Sequence, residues 1–88
     1  MLTRRIDILR ILTLGIRMKK AERRILGRLL KRGRSYPGDI IMDLKMAQAR
    51  GVRTILDLTD RGYILHEEGT GFIKVNPDYR KEVKIMCA

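Results

Sequence analysis

Two adjoining stretches decide how this 88-residue chain is read: Asp39-Ile-Ile-Met-Asp-Leu-Lys-Met-Ala-Gln-Ala-Arg-Gly51 and Ile55-Leu-Asp-Leu-Thr-Asp-Arg-Gly-Tyr-Ile64. Ile40, Ile41 and Leu44 recur at helical spacing and predict a helix from about Asp39 to Lys45, with Asp39 complementing the positive end of its dipole. A second helix is predicted from Ala47 or Gln48 to Arg61. Val52, Ile55, Leu56 and Leu58 are read as its inner side, and Arg50, Arg53, Asp57 and Arg61 as its outer side. Gly51 lets the two helices approach, and Gly62 lets the chain leave the second one with a positive φ.

Upstream, Lys20 to Arg32 reads as a helix whose inner face is Ile25, Leu26, Leu29 and Leu30, stopped by Gly33. Ser35-Tyr-Pro-Gly38 reads as a turn. Downstream, Tyr63–His66 and Phe72–Val75 flank a Gly-rich turn and predict a β-hairpin. Asn76-Pro77-Asp78 is a helix start, leading into a short C-terminal helix with Tyr79, Val83 and Met86 inside. At the N-terminus a helix is expected from Thr3 to about Leu14, although Leu12 to Lys19 alternates with period two and suits a short strand. A break is expected near Gly15.

The fold class expected from this order is α+β, mostly α. Helix, turn, helix, turn, helix and hairpin in about 55 residues resembles a winged helix-turn-helix domain. The similarity covers about Ala21 to Tyr79 and is sharpest at Asp60-Arg-Gly-Tyr-Ile64. The nearest families are the broad MarR-type and PadR-type regulators. The resemblance implies a three-helix core and a two-stranded wing over residues 20–79. Residues 1–19 are then an apolar and basic extension, and residues 80–88 a short helix or tail.

Twenty Lys and Arg against ten Asp and Glu give a net charge of +10. Residues 1–34 hold twelve of the basic residues and only two acids, Asp7 and Glu22, so the later residues sum to zero. A field of this sign draws in phosphates or other anions. Arg24, Arg28 and Arg32 are successive i,i+4 neighbours with no acid between them, a like-charge row that an anionic partner would relieve. Eighty-eight residues suit one domain. The longest uncharged run near the start, Ile11 to Ile16, is too short to span a membrane, and no secretory signal is apparent, so a cytoplasmic protein is expected.

Chemistry of other kinds finds little footing. Cys87 is the sole cysteine and His66 the sole histidine, too few for a four-ligand zinc site built from Cys and His. Ser35 has no nucleophile-base arrangement, Asp39 and Asp43 on one helix make a poor Mg²⁺ site, and Gly69-Thr-Gly71 lacks the ending of a phosphate loop. No enzyme, cofactor, metal or small-molecule substrate is expected.

In the families it resembles, the third core helix enters the major groove by its N-terminal residues, which nominates Gln48, Ala49, Arg50 and Arg53. Arginine reads guanine bidentately and glutamine reads adenine. Glu67 and Glu68 make the hairpin tip acidic, so phosphate contact is expected mainly from Arg23, Arg24, Arg28, Lys31, Arg32 and Arg34, with Lys74 added from the hairpin. Ile6, Leu9, Leu12 and Ile16 exceed what one short helix buries in a monomer and predict a homodimer. The expected function is therefore sequence-specific binding of double-stranded DNA in transcription regulation. The alternative is a protein-interaction module whose basic helix docks an acidic partner or RNA.

Overall fold

A computed structural model of the chain describes residues 18–87. The predicted N-terminal helix, the alternative strand up to Arg17, and the dimerisation candidates Ile6, Leu9, Leu12 and Ile16 lie outside the described residues, while Met18 and Lys19 are not in a strand. Within them the fold is α+β and mostly helical, with four α-helices and one two-stranded antiparallel hairpin. The order is α1 (Lys20–Arg32), α2 (Pro37–Asp43), α3 (Gln48–Asp60), β1 (Ile64–His66), β2 (Ile73–Val75), a 3₁₀ turn (Pro77–Tyr79) and α4 (Arg80–Cys87).

One apolar core binds these elements. Ile25, Leu26 and Leu29 from α1 meet Ile40 and Ile41 from α2, Ile55 and Leu58 from α3, Ile64 and Ile73 from the hairpin, and Val83 from α4. The C-terminal helix thus belongs to the same core as α1 to α3. Its entry follows the predicted chemistry: the Asn76 side chain accepts the Asp78 N–H at 3.0 Å, and Pro77 occupies the first position of the 3₁₀ turn.

Two expectations are corrected. The second helix of the chain begins at Pro37, not Asp39, because proline needs no partner for an N–H it lacks. The Tyr36 carbonyl then accepts from both Asp39 and Ile40, at 3.1 and 3.2 Å. That helix ends at Asp43, where the chain turns through Leu44 and Lys45. The second correction concerns α3. Its buried residues are Gly51, Ile55 and Leu58, whereas Val52 and Leu56 are 40% and 54% exposed. Positions 51, 55 and 58 lie on one line at 3.6 residues per turn, and a single helix in a small core buries a stripe no wider than this.

The two helices of the turn unit meet at Gly51. A Cβ placed there would lie 2.6, 2.8 and 3.0 Å from the Cγ1, Cδ1 and Cγ2 atoms of Ile41, closer than carbon atoms pack. Gly62 leaves α3 with φ +88°, a backbone region that a residue bearing Cβ resists, and Asn76 Nδ2 donates to its carbonyl at 2.9 Å. The hairpin pairs Ile64 with Val75, Leu65 with Lys74 and His66 with Ile73. Ser35 adds a third, one-residue contact: Ser35 N–H donates to the Ile73 carbonyl at 3.0 Å, and Ile73 N–H returns to Ser35 at 2.8 Å. This bridge ties the α1–α2 connection to the inner edge of the hairpin and was not legible in the sequence.

The Gly51 contact sets a quantitative expectation. Gly51→Ala gains helix propensity of about 1 kcal/mol but overpacks against Ile41 at a cost of about 1–3 kcal/mol. Thermal unfolding should show a net fall in Tm. Combined with Ile41→Ala, which removes the clashing atoms, the loss should be smaller than the sum of the two single losses.

Candidate nucleic-acid interface

The charged residues fall into groups that the linear sequence does not separate. Glu22, on the otherwise basic α1, is turned inward with its side chain 5% exposed, and it accepts a hydrogen bond from Arg61 of α3. The Arg61 guanidinium also lies 5.7 Å over the Tyr63 ring and 3.6 Å from Met18 Sδ, with Asp57 at 3.8 Å. Arg61 therefore fastens α3 to α1.

Asp43, at the end of α2, is 3.2 Å from Arg28 and 3.6 Å from Arg32. Arg24 Nη2 donates to the Leu44 carbonyl at 2.7 Å, a cation at the negative end of α2. The row Arg24, Arg28 and Arg32 thus finds its relief inside the protein, from a helix end and an acid that arrive from the next helix. The sequence places no acid between these arginines, and the fold supplies one from another helix, although each pair is partly solvated and of modest strength.

Glu67 performs the same office on the hairpin. Its carboxylate is 3.2 Å from Arg34 and 4.0 Å from Lys74. The Arg34 guanidinium also lies 5.0 Å over the Phe72 ring, which stacks on Tyr36 at 4.3 Å. Arg34 and Lys74 share a cleft with Arg80 and do not line the grooves that hold the other nominated cations.

Those other cations, Arg32 excepted, converge. A groove of about 630 Å³ is walled by Lys20, Arg23, Arg24, Arg28 and Lys31, with Leu44, Met86 and Cys87 along its floor. A second, of about 280 Å³, shares Lys20 and Arg24 with it and adds Lys45 and Arg50. A third, of about 720 Å³, shares Ala47 and Arg50 with the second and adds Lys19, Ala49 and Arg53 together with two acids, Glu22 and Asp57. The shared walls make one mainly basic surface running from the N-terminal half of α3, across the α2–α3 turn, onto α1, with Glu22 and Asp57 at its α3 end. Gln48, Ala49, Arg50 and Arg53 are all exposed. Ala47 caps α3 without a side-chain hydrogen bond, and no acid lies in its first turn.

Sequence reasoning missed Lys19, Lys20 and Lys45 as members of this surface. Lys45 carried one signal that only the backbone reveals: its φ is +55°, the sole positive φ of a non-glycine among the described residues. The conformation costs about 1–2 kcal/mol for a residue with Cβ.

Among the described residues no group of His, Cys, Asp or Glu side chains is arranged to hold a metal ion, and no helix is long and apolar enough to cross a membrane. Comparison with protein-family models, curated proteins and solved structures found no match.

Cys87, on the floor of the first groove, yields a pH prediction. Burial pushes its thiol above the ordinary value, and the nearby Arg23 guanidinium pulls it partly back. The thiol Sγ–H donates to the Arg23 carbonyl at 3.5 Å. A folded pKa raised above the unfolded one contributes stability that is complete at neutral pH and lost as pH rises through the folded value. Alkylation by iodoacetamide should be slow at neutral pH and rise at a higher pH than in the unfolded chain. Arg23→Ala should move that rise higher still.

Proposed function

We propose that this protein is a sequence-specific, double-stranded DNA-binding regulator of the winged helix-turn-helix kind, with α3 in the major groove and the hairpin as its wing. The observation that carries this reading is the mainly basic surface joining the first two turns of α3 to α1. A recognition helix needs cations on either side of its reading residues to hold the phosphates that border the groove. Here Arg50 and Arg53 lie on α3, Lys45 in the turn before it, and Lys19, Lys20, Arg23 and Lys31 on the side of α1. The uncapped first turn of α3, free of acids, suits an approaching phosphate. The Ser35–Ile73 bridge supports the wing assignment, since it ties the hairpin to the connection between α1 and α2.

Arg34 and Lys74 are left out of the interface in this reading because Glu67 holds them. Arg24, Arg28 and Arg32 contribute field more than direct contact while Asp43 and the α2 terminus engage them. The protein acts as a cytoplasmic homodimer, with Ile6, Leu9, Leu12 and Ile16 outside the described residues as the joining set, and it is not an enzyme. A second reading, a protein-interaction module, draws on Met42, which is 75% exposed on α2.

Fluorescence anisotropy of a generic duplex across a salt series tests the proposal. Affinity should fall with salt with a log–log slope of about −0.9 for each phosphate neutralised. Lys20→Ala and Lys45→Ala should each flatten that slope by about one, and Arg34→Ala and Lys74→Ala should leave it unchanged. Arg50→Ala with Arg53→Ala should abolish preference among sequences. Binding that is absent even at low salt would overturn the proposal and favour the interaction module. Lys45→Gly separates fold from function: relief of the positive φ should raise stability by about 0.5–1 kcal/mol, while the lost ammonium weakens DNA binding.

A further inference from the structure

The outward stripe of α3 carries apolar side chains around Arg53 and ends at the exposed Asp60. Positions 49, 53 and 56 stand opposite the buried 51, 55 and 58 at 3.6 residues per turn, and 52 flanks them. They are Ala49, Arg53, Leu56 and Val52, all exposed. Val52 and Leu56 present large apolar side chains there that the core does not take up. Two acids border it: Asp57, one turn on from Arg53 and 3.8 Å from Arg61, lines the groove of Ala49 and Arg53, and Asp60 closes the stripe at the end of the helix.

We infer that this stripe reads thymine methyl groups on either side of a guanine, with Arg53 on the guanine and Ala49, Val52 and Leu56 against the methyls. The inference rests on the DNA-binding reading above and gives it a base preference. In the major groove the C5-methyl of thymine is the one apolar feature among the base edges, and guanine offers O6 and N7 as a pair of acceptors to a guanidinium. Side chains of Ala, Val and Leu form no hydrogen bonds, so adenine N6, cytosine N4 or guanine O6 opposite them would lose water without gaining a partner. From residue 49 to 56 the helix rises about 10 Å at ~1.5 Å per residue. That length matches about three base-pair steps of ~3.4 Å, enough for one guanine and its neighbours.

The test uses duplexes selected by the protein from a random-sequence pool, then remade with each thymine replaced by deoxyuridine, which lacks only the methyl. The selected duplexes should hold a guanine adjoined by thymine. Each contacted thymine should lose about fourfold in affinity on this replacement, the worth of one buried methyl. Val52→Ser and Leu56→Ser change exposed positions and should keep the fold by circular dichroism and the salt slope, but each should lose sensitivity to deoxyuridine. Selected duplexes without thymine beside guanine, or equal binding of thymine and deoxyuridine by the unmodified protein with salt-dependent binding intact, would overturn the inference and leave DNA binding standing. Absence of salt-dependent binding would remove both. If Val52→Ser or Leu56→Ser lowered the oligomeric mass in sedimentation and left the deoxyuridine sensitivity untouched, the stripe would be a protein contact instead.

Discussion

The approach of α2 to α3 at Gly51 and Ile41 governs what the rest of the molecule presents. With no Cβ at 51, the isoleucine side chain fits against the α3 backbone, and the helix settles with 51, 55 and 58 inward. Everything on the other side follows from that rotation. Ala49, Arg53 and Leu56 become the outermost line of the helix, and Arg50 turns toward Lys20 and Lys45. A side chain at position 51 would push the helices apart. Because Arg50 and Arg53 lie on α3 and the lysines on other elements, their spacing would change with it.

A second constraint fixes α3 from its far end. Glu22 and Arg61 join α1 to α3, with Tyr63 beneath the guanidinium. An isolated carboxylate as buried as Glu22 would be costly, so the arginine is a condition of its burial more than an addition to stability. The pair also explains Asp60-Arg-Gly-Tyr-Ile64 physically. Arg61 fastens the helix end, Gly62 turns the chain, and Tyr63 and Ile64 return to the core.

The charge distribution follows the same logic. Acids that are remote in the chain are delivered to particular arginines by the fold: Asp43 to Arg28 and Arg32, and Glu67 to Arg34. Removing these from the free cations leaves a surface narrower than the composition suggests. It is also better placed, because it borders the exposed start of α3. Lys45 lies on it in a strained backbone conformation that a glycine would adopt at less cost.

The helices, the hairpin and the cap at Asn76 were readable because each depends on neighbours within a few residues: apolar spacing, a glycine after the last turn, or a proline at the first. Position 51 was readable for the same reason, as a glycine amid an apolar pattern. The exposure of Val52 and Leu56 was not, since an apolar residue beside an inward line looks alike whether the core is wide enough to take it or not. Nor were the ion pairs, the Ser35–Ile73 bridge or the place of Lys19, Lys20 and Lys45. For the described residues, the sequence by itself determined the order of helices and hairpin, and, for the whole chain, that its positive charge is concentrated early. Only the tertiary structure decided which cations meet a partner inside the protein and which remain available to an external anion, because ion pairing depends on distances across the fold and not on separation along the chain.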